Sequence, residues 1–271
     1  MRASVVRPVR IVALLLLCAG GSLAARGPQF PPPARPPKAA PAMQSTAELP
    51  KAREVIDRHI KAVGGRETIR AHSSSHATGT IAVPSAGLSG TLEVFAARPN
   101  STLLKIVLAG VGEVQEGFDG RIGWSISAMT GPTLLEGRQL EQRKFDSDFY
   151  GDLVEDNRYK SMTVIEIAEF DGRQCYKLRL IRHSGEEDLH YYDLSTGLKA
   201  GSTTTRETPM GTVTATTVES DYRRFGKLLQ PTKLTQRVMG VQQVLTVSSI
   251  EYDSVDRAVF EPPAPIKALL K

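Results

Sequence analysis

The sequence predicts a mainly β (α+β) fold, in which one antiparallel sheet carries helices across its apolar face. Short strand-like segments follow one another from about residue 76 to residue 252. Turn signals such as Asp119-Gly120 and Asp171-Gly172 join several of them by short links, which indicates an antiparallel meander and not βαβ units. Apolar and polar residues alternate in these segments, as in a sheet with one buried face.

Residues 1–24 have the pattern of an export signal peptide. Three arginines precede a short apolar run at 11–19, and Ser22-Leu23-Ala24 forms a small-x-small cleavage site. The apolar run is about half of the ~20 residues that a membrane-spanning helix needs, so we expect it to be cleaved. We therefore expect the mature protein to be exported to the periplasm. ATP and NAD(P)H are scarce there, which excludes many classes of enzyme.

Cys18 leaves a second localisation open. It follows the apolar run, as the lipidated cysteine of a bacterial lipoprotein signal does, although Leu17 stands where such signals carry Gly, Ala or Ser. The alternative to a free periplasmic form is therefore a protein that is lipid-anchored through Cys18 to an envelope membrane. Otherwise Cys18 is simply one more apolar residue of the signal segment.

The mature chain has a nearly balanced charge and a single cysteine. Loss of residues 1–24 removes three arginines from the 34 basic side chains and none of the 29 acidic ones, so the net charge falls from +5 to +2. No clustered basic face is evident, and we expect no nucleic-acid partner. Cys175 alone cannot form an intrachain disulfide, so the hydrophobic core has to stabilise the domain, and roughly 220 residues suffice for one such core. We expect a monomer.

A proline-rich linker precedes the folded domain. Residues 25–50 contain eight of the 17 prolines, which favour an extended, unpacked chain. We assign the folded domain to residues 51–265. It begins with a helix that ends at Gly64-Gly65, and one face of this helix carries Ala52, Val55, Ile56, Ile60 and Val63.

Spacing and turns predict the remaining elements. A helical turn is expected at 67–70 and a further helix at about 137–150. In the segment 174–182, Leu178 and Leu180 lie on one face and charged residues on the other, so helices or curling of the sheet must cover the apolar face. Strands are expected at 76–84, 90–98, 101–108, 113–118, 122–127, 162–170, 174–182, 189–193, 199–207, 211–225, 231–238 and 241–252.

Several short motifs are notable for their order and spacing over roughly residues 50–263. They are 55–65, Gly117-Phe118-Asp119-Gly120 with Trp124, Met129-Thr130-Gly131-Pro132, Phe170-Asp171-Gly172-Arg173 with Cys175-Tyr176, Tyr191-Tyr192-Asp193 with Thr196-Gly197-Leu198, Ser220-Asp221-Tyr222-Arg223, and Phe260-Glu261-Pro262-Pro263. Together they resemble the LolA/LolB/LppX-like family of bacterial envelope proteins, in particular its exported members described as outer-membrane lipoprotein-sorting proteins.

The resemblance implies an unclosed antiparallel β-barrel of about 11 strands with helices covering its open mouth. It also implies a periplasmic carrier, not an enzyme and without a cofactor, that shields a lipid or an acylated protein in an apolar cavity. A membrane surface or an envelope protein is a further partner compatible with it. Three alternatives stay open: a sensor or interaction module of the same fold that binds a partner protein, a hydrolase that uses exposed acids, and a scaffold with a filled core.

We expect apolar side chains to line this cavity. Trp124 offers a large rigid surface, and Met129, Met162, Met210 and Met239 suit variable apolar shapes. Replacement of Trp124 by alanine is accordingly expected to weaken ligand binding while the sheet stays formed. The candidate lining residues are Leu92, Val94, Leu104, Ile106, Trp124, Ile126, Met129, Leu134, Leu135, Phe145, Phe149, Leu178 and Leu180.

No catalytic or metal-binding residues are predicted. The sequence contains no G-x-S-x-G, H-E-x-x-H, P-loop or C-x-x-C motif. His72 and His76 are four residues apart, but no carboxylate or cysteine is near them in the sequence, which disfavours a metal site. Asp119 precedes a glycine and is expected to form a turn. Solvated or structural positions are expected for Asp146, Asp148, His183 and His190.

Overall fold

The computed structural model describes residues 48–208 and 211–270. The predicted signal peptide, most of the proline-rich linker and Met210 lie outside the described residues. The described part contains four helices: α1 (Ala52–Ala62), α2 (Arg66–Arg70), α3 (Gly137–Asp146) and α4 (Ala264–Leu269). The first three match the helices expected from the sequence, although α3 ends four residues before the predicted end at 150. Helix α4 was not predicted.

The strands occupy most of the remaining described chain. They are β1 (Ser74–Val83), β2 (Leu88–Ala97), β3 (Ser101–Leu108), β4 (Gly112–Phe118), β5 (Gly123–Ser127), β6 (Gly131–Leu135), β7 (Ser161–Phe170), β8 (Arg173–Ile181), β9 (Glu187–Asp193), β10 (Lys199–Thr208), β11 (Gly211–Phe225), β12 (Leu228–Val238) and β13 (Val241–Tyr252).

All of these strands form one antiparallel sheet. Its order is β6-β5-β4-β3-β2-β1-β13-β12-β11-β10-β9-β8-β7, so two meanders meet where β1 pairs with β13. Strands β6 and β7 end the sheet, which therefore does not close on itself. The predicted unclosed antiparallel barrel is confirmed, with 13 strands in place of about 11.

Strand β6 was missed because its sequence resembles a turn. It begins with Gly131-Pro132, and Gly131 has a positive φ of 67°. Proline cannot donate to a strand ladder and is therefore found mainly on edge strands, at strand starts and at bulges. Strand β6 is such an edge, since it pairs with β5 on one side and ends the sheet on the other.

Helix α1 packs on one face of the sheet, which we call the inner face. Its apolar stripe is buried together with Leu178 and Leu180 of β8, Tyr192 of β9 and Leu228 of β12. Burial of a side chain such as Ile56 contributes about 1.5–3 kcal/mol. The α1 stripe thus anchors the N-terminal helix on the β7–β12 half of the sheet.

The end of α1 requires glycine. Gly64 and Gly65 have φ values of 128° and 91°, and the Gly65 N–H donates to the carbonyl of Ile60 at 2.8 Å. A Cβ atom on Gly64 would lie 2.7 Å from the carbonyl oxygen of Lys227. The helix therefore ends at the predicted Gly64-Gly65 pair, and this turn lies against the start of β12.

A second buried group, which we call the aliphatic cluster, also lies on the inner face. Leu234 belongs to it and lies two residues from Gln236 on β12, and cross-strand pairing connects Gln236 through β11, β10 and β9 to Leu178. Side chains two apart on a strand share a face. The members of the aliphatic cluster are Ala77, Ile81, Leu92, Val94, Leu104, Ile106, Leu108, Leu234, Leu245, Val247 and Ile250.

A third cluster lies on the opposite, outer face. Trp124 pairs with Gly117, and Gly117 pairs with Leu103, so these residues share a face. Leu103 and Leu104 are neighbours in β3 and point to opposite sides of the sheet. Trp124 is buried there against Leu103, Phe260 and Ile266, so α4 and the turn before it cover the outer face near β5.

Candidate functional site

A cavity with about 100 Å³ of free volume lies between the helices and the inner face of β9–β12. Its apolar wall residues include Val63, which directly follows α1, Ile69 of α2 and Phe145 of α3. Much of the remaining wall is polar, which contrasts with the apolar cavity that the resemblance implies. Its ionisable residues are His59, Asp146, Asp152, Tyr159, Arg182, Asp188, His190, Lys199, Glu219 and Tyr222.

The strand register aligns the floor of the cavity. His190 of β9 pairs with Ser202 of β10, Ser202 with Thr217 of β11, and Thr217 with Gln236 of β12. Directly paired side chains on one face have Cβ atoms about 4.5–5.5 Å apart. These four residues, which all line the cavity, therefore form a polar row across the strands.

A buried ion pair closes one side of the cavity. The guanidinium of Arg182 donates to both carboxylate oxygens of Asp188, at 2.8 and 3.0 Å, and the Tyr159 hydroxyl donates to Asp188 at 3.3 Å. The Arg182 and Asp188 side chains are only 5% and 2% exposed. Asp146 lies 3.7 Å from the guanidinium, which also lies 4.2 Å from the centroid of the Phe145 ring. The pair thus connects α3 to β9.

A second ion pair lies on the floor. Lys199 Nζ lies 2.7 Å from Glu219 Oε1, and the Tyr222 hydroxyl donates to the Lys199 carbonyl at 2.8 Å and to Glu219 Oε2 at 3.3 Å. Burial, together with the charge of Glu219, raises the pKa of Tyr222 well above its usual value. Tyr222 is therefore a neutral donor that holds the β10–β11 wall.

His59 connects α1 to this wall as a neutral ring. Its Nδ1 accepts the backbone N–H of Lys199 at 3.2 Å, and its ring lies 5.3 Å from that of Tyr192. Burial lowers the pKa of His59 from 6.5 to about 4, against the opposing effect of Glu219. At neutral pH the ring therefore accepts at Nδ1, which places its proton on Nε2.

This lowered pKa predicts acid sensitivity. Between pH 6.5 and about 4 the unfolded state carries a proton on this histidine that the folded state does not, so stability rises with pH across that window. We expect protonation of His59 to lower the free energy of unfolding by about 3 kcal/mol as the pH falls from 6.5 to about 4. Urea unfolding between pH 4 and 7 measures this, with His59→Asn as the control, because the asparagine oxygen can still accept from Lys199. Equal slopes in the two proteins would contradict the prediction.

Two buried amides on the cavity wall each have an atom without a hydrogen-bond partner. Gln230 is 1% exposed and its Nε2 has no acceptor, while Gln236 is 5% exposed and its Oε1 has no donor. An unsatisfied buried amide atom costs about 1–3 kcal/mol. Because the charges of Arg182 and Lys199 are paired while these amide atoms are not, the cavity suits hydrogen-bonded recognition of a small polar group.

The predicted lining residues are divided between the two faces of the sheet. Phe145 lies on the cavity wall. Leu178 and Leu180 pack under α1, and Leu135 lies on the same inner face near Leu140 of α3. Four members belong to the aliphatic cluster, namely Leu92, Val94, Leu104 and Ile106.

The other predicted lining residues lie elsewhere. Trp124, Ile126 and Leu134 belong to the outer-face cluster. Met129 is 58% exposed in the β5–β6 turn. Phe149 packs edge-on against Tyr150, 5.4 Å between ring centroids, and its N–H donates to the carbonyl of Pro99. Their contacts with a ligand remain a prediction.

Two of the residues expected to be solvated line the cavity instead. His190 is buried on β9, and Asp146 is largely buried beside Arg182. Sequence spacing placed both near hairpin or helix ends, where charges are usually solvated, and the packing of α3 on the sheet buries them. Asp148 is partly exposed and pairs with Arg158, and His183 contacts the carbonyl of Asn157.

The histidines near the start of β1 have carboxylate partners that the sequence does not reveal. His72 Nδ1 lies 2.5 Å from Asp253, and His76 Nε2 lies 3.2 Å from Glu93. Each partner comes from a different strand or turn, so the two histidines do not share a carboxylate. Across residues 48–208 and 211–270, no three His, Cys, Asp or Glu side chains are grouped to hold a metal ion.

Asp119 forms the turn that the sequence predicts. Its carboxylate accepts the backbone N–H groups of Arg121 and Ile122, both at 2.7 Å, between β4 and β5. This is the local side-chain bond that favours Asp before Gly. Among the described residues, no helix has the length and apolar character needed to cross a membrane.

Solved structures share this architecture at low sequence identity. A LolA superfamily protein from Nitrosomonas europaea superimposes with a TM-score of 0.53 and 14% identity, over 79% of this chain and 99% of that one. A DUF1329 family protein from Desulfovibrio piger gives 0.51 and 13%, over 79% and 98%. A domain from Vibrio parahaemolyticus described as an outer membrane lipoprotein-sorting protein gives 0.50 and 13%, over 81% and 97%.

Sequence comparison adds no closer relationship. No family model and no curated protein matches the chain. The structural matches cover nearly the whole length of the three proteins, so the likeness concerns the complete sheet and not one hairpin. The predicted resemblance is thus confirmed at the level of architecture, and this chain shares the fold of these three structures.

Proposed function

We propose that this protein is a non-enzymatic binding protein of the bacterial envelope that shields the acyl chain of a lipid or an acylated protein. The predicted signal peptide at 1–24 supports a periplasmic location. The folds of the LolA superfamily protein and of the lipoprotein-sorting domain support a carrier. Neither match determines the ligand, and the inner face of the sheet is what supports an acyl chain.

The observation that supports the proposal is the aliphatic cluster. Its members come from five strands, β1, β2, β3, β12 and β13, and include Ile106 and Leu245. Within the described residues, α1 and α2 contribute to the neighbouring cluster under α1 and not to this one. The members are already withdrawn from water, each at most 9% exposed, so a chain enters by separating them. Burial of the chain is then worth roughly 0.8 kcal/mol for each of its CH₂ groups.

The β3–β4 turn offers a route to this surface. Val111 is partly buried against the aliphatic cluster, between Gly110 and Gly112, whose φ values are 76° and 113°. Glycines adopt such conformations at little cost, so the turn can change conformation without strain. In the proposed mechanism a chain enters beside Leu108 as Val111 moves aside.

The first experiment examines the mature protein purified from its own envelope. Native mass spectrometry with lipid extraction is expected to find a bound lipid or acylated peptide. The delipidated protein is expected to enhance the fluorescence of N-phenyl-1-naphthylamine, an uncharged apolar probe. An empty protein that does not bind the probe would overturn the carrier proposal, and a co-purifying protein without lipid would favour the interaction module.

Adjacent residues on opposite faces of β3 provide a matched pair of variants. Ile106 is fully buried on the inner face, whereas Val107 is 51% exposed on the outer face. We expect Ile106→Ala to weaken binding of the probe at least tenfold, about 1.4 kcal/mol, because the chain loses its contacts with the removed methylenes. Val107→Ala is expected to leave affinity unchanged. Melting curves establish that both variants are folded, and equal affinities would contradict the proposed location.

A further inference from the structure

We propose that the polar row beside the aliphatic cluster binds the head of the acyl ligand, and that this head carries an uncharged hydrogen-bond donor. A hydroxyl group or an amide N–H meets this description. The inference rests on the proposed function and adds the chemical class of the ligand. Three features of the inner face support it: the continuity of the two surfaces, the buried Gln236 amide and the paired charges of the wall.

The polar row and the aliphatic cluster are continuous. Leu234 lines the cavity and also belongs to the aliphatic cluster. It pairs with Leu245 of β13, and Leu245 pairs with Ile81 of β1. Gln236 follows two residues later on the same face, about 7 Å along the strand. An amphiphile with its chain on the aliphatic cluster therefore brings its head to Gln236.

The buried oxygen of Gln236 requires a donor. Its Oε1 has no partner although the side chain is almost completely buried, and the directly paired residue on β11 is Thr217. A hydroxyl or an amide N–H of the ligand would satisfy this oxygen, whereas an ionised carboxylate or a phosphodiester has no proton to donate. The unsatisfied acceptor thus selects for a head with a donor.

The charges on the wall disfavour an anionic head. The arginine and the lysine of the described lining each hold a carboxylate already, Arg182 that of Asp188 and Lys199 that of Glu219. An anion would have to separate one of these pairs to obtain an arginine or lysine counter-ion, which leaves a buried carboxylate uncompensated. An uncharged head avoids this cost.

The size of the cavity also favours a head group. Its free volume of about 100 Å³ is several times the 10–15 Å³ that one water requires and well below the ~300 Å³ of a site for a whole small molecule. Gln230 lies six residues from Gln236, about 20 Å along the strand, so one small head does not contact both. The proposal concerns the Gln236 end, which adjoins the apolar surface.

A displacement assay on the full mature protein tests the ligand class. N-phenyl-1-naphthylamine is bound first and then displaced by monolauroylglycerol, methyl laurate or laurate, which share one acyl chain and differ in the head. We expect monolauroylglycerol, the only one of the three with hydroxyl donors, to displace the probe at a concentration at least tenfold lower. Displacement at equal concentrations would overturn the inference.

Gln236→Met tests whether the Gln236 amide recognises the head of the ligand. Methionine has nearly the same length and removes the unsatisfied amide, so the variant is expected to fold. We expect it to reduce the preference for monolauroylglycerol over methyl laurate to less than threefold. The control is Gln115→Met, because Gln115 pairs with Ile126 on the outer face and bonds to Glu113. The control is expected to keep the preference.

The outcomes separate this inference from the proposed function. Failure of the wild-type protein to bind the probe at all would overturn the acyl-binding function and this inference with it. Binding of the probe with equal displacement by the three compounds would leave the function standing and overturn the inference. A preference that survives in Gln236→Met would also overturn it and would indicate that a group other than the Gln236 amide selects the head.

Discussion

Replacement of Arg182 by methionine is expected to lower the free energy of unfolding by about 3–5 kcal/mol. The change removes a guanidinium that holds both oxygens of Asp188 and lies over the Phe145 ring. Methionine retains the apolar volume but leaves the carboxylate of Asp188 buried without its counter-ion. Since Asp188 is 2% exposed, water cannot replace the lost partner.

Urea unfolding of three variants measures the effect and its cause. Arg182→Met with Asp188→Leu is expected to regain most of the lost stability, because apolar residues that replace a whole buried pair are often neutral or stabilising. Lys267→Met breaks an ion pair whose side chains are 55% and 66% exposed, and is expected to cost less than about 1 kcal/mol. If Arg182→Met alone were as stable as Lys267→Met, Arg182 would not compensate a buried charge.

The Arg182–Asp188 ion pair also affects the cavity, because it holds α3 over the polar row. Arg182 follows β8, Asp188 lies on β9, and the guanidinium contacts Phe145 and Asp146 at the end of α3. Loss of Arg182 therefore loosens the helix that covers the polar row. This buried ion pair and the shape of the candidate site thus depend on the same side chain.

Local sequence patterns predicted most of the sheet because each strand and turn depends on neighbouring residues. Asp119-Gly120 predicts a turn through a side-chain bond that spans three residues, and that bond is present. Alternation in 174–182 predicts one buried face, and Leu178 and Leu180 are fully buried there. Helix α4 depends instead on packing with β6, to which no local periodicity points.

The polar row could not be found in the same way. His190, Ser202, Thr217 and Gln236 are spread over four strands, and only the pairing register places them side by side. A shift of one residue in any strand would reverse its faces. The sequence therefore shows an isolated histidine, two hydroxyls and an amide, each with an ordinary surface interpretation.

The structure also changes the result expected for Trp124→Ala. Trp124 is fully buried on the outer face, whereas Leu104 and Ile106 lie on the inner face. Its ring lies so close to Gly117 that a Cβ there would meet it at 2.1 Å. We expect Trp124→Ala to lower the free energy of unfolding by about 3–5 kcal/mol, the usual cost of removing a buried aromatic ring.

We expect Trp124→Ala to change the stability of the protein but not its affinity for the ligand. Because Trp124 is on the other side of the sheet from the aliphatic cluster, we expect the folded variant to bind N-phenyl-1-naphthylamine with wild-type affinity. Trp124→Phe is expected to cost less, since it retains a ring and removes an indole N–H that has no acceptor. Met129→Ala, at a side chain 58% exposed, serves as the control and should change stability by less than about 0.5 kcal/mol. Weaker binding by a stable Trp124→Ala protein would instead place the ligand against the outer face and move the candidate site there.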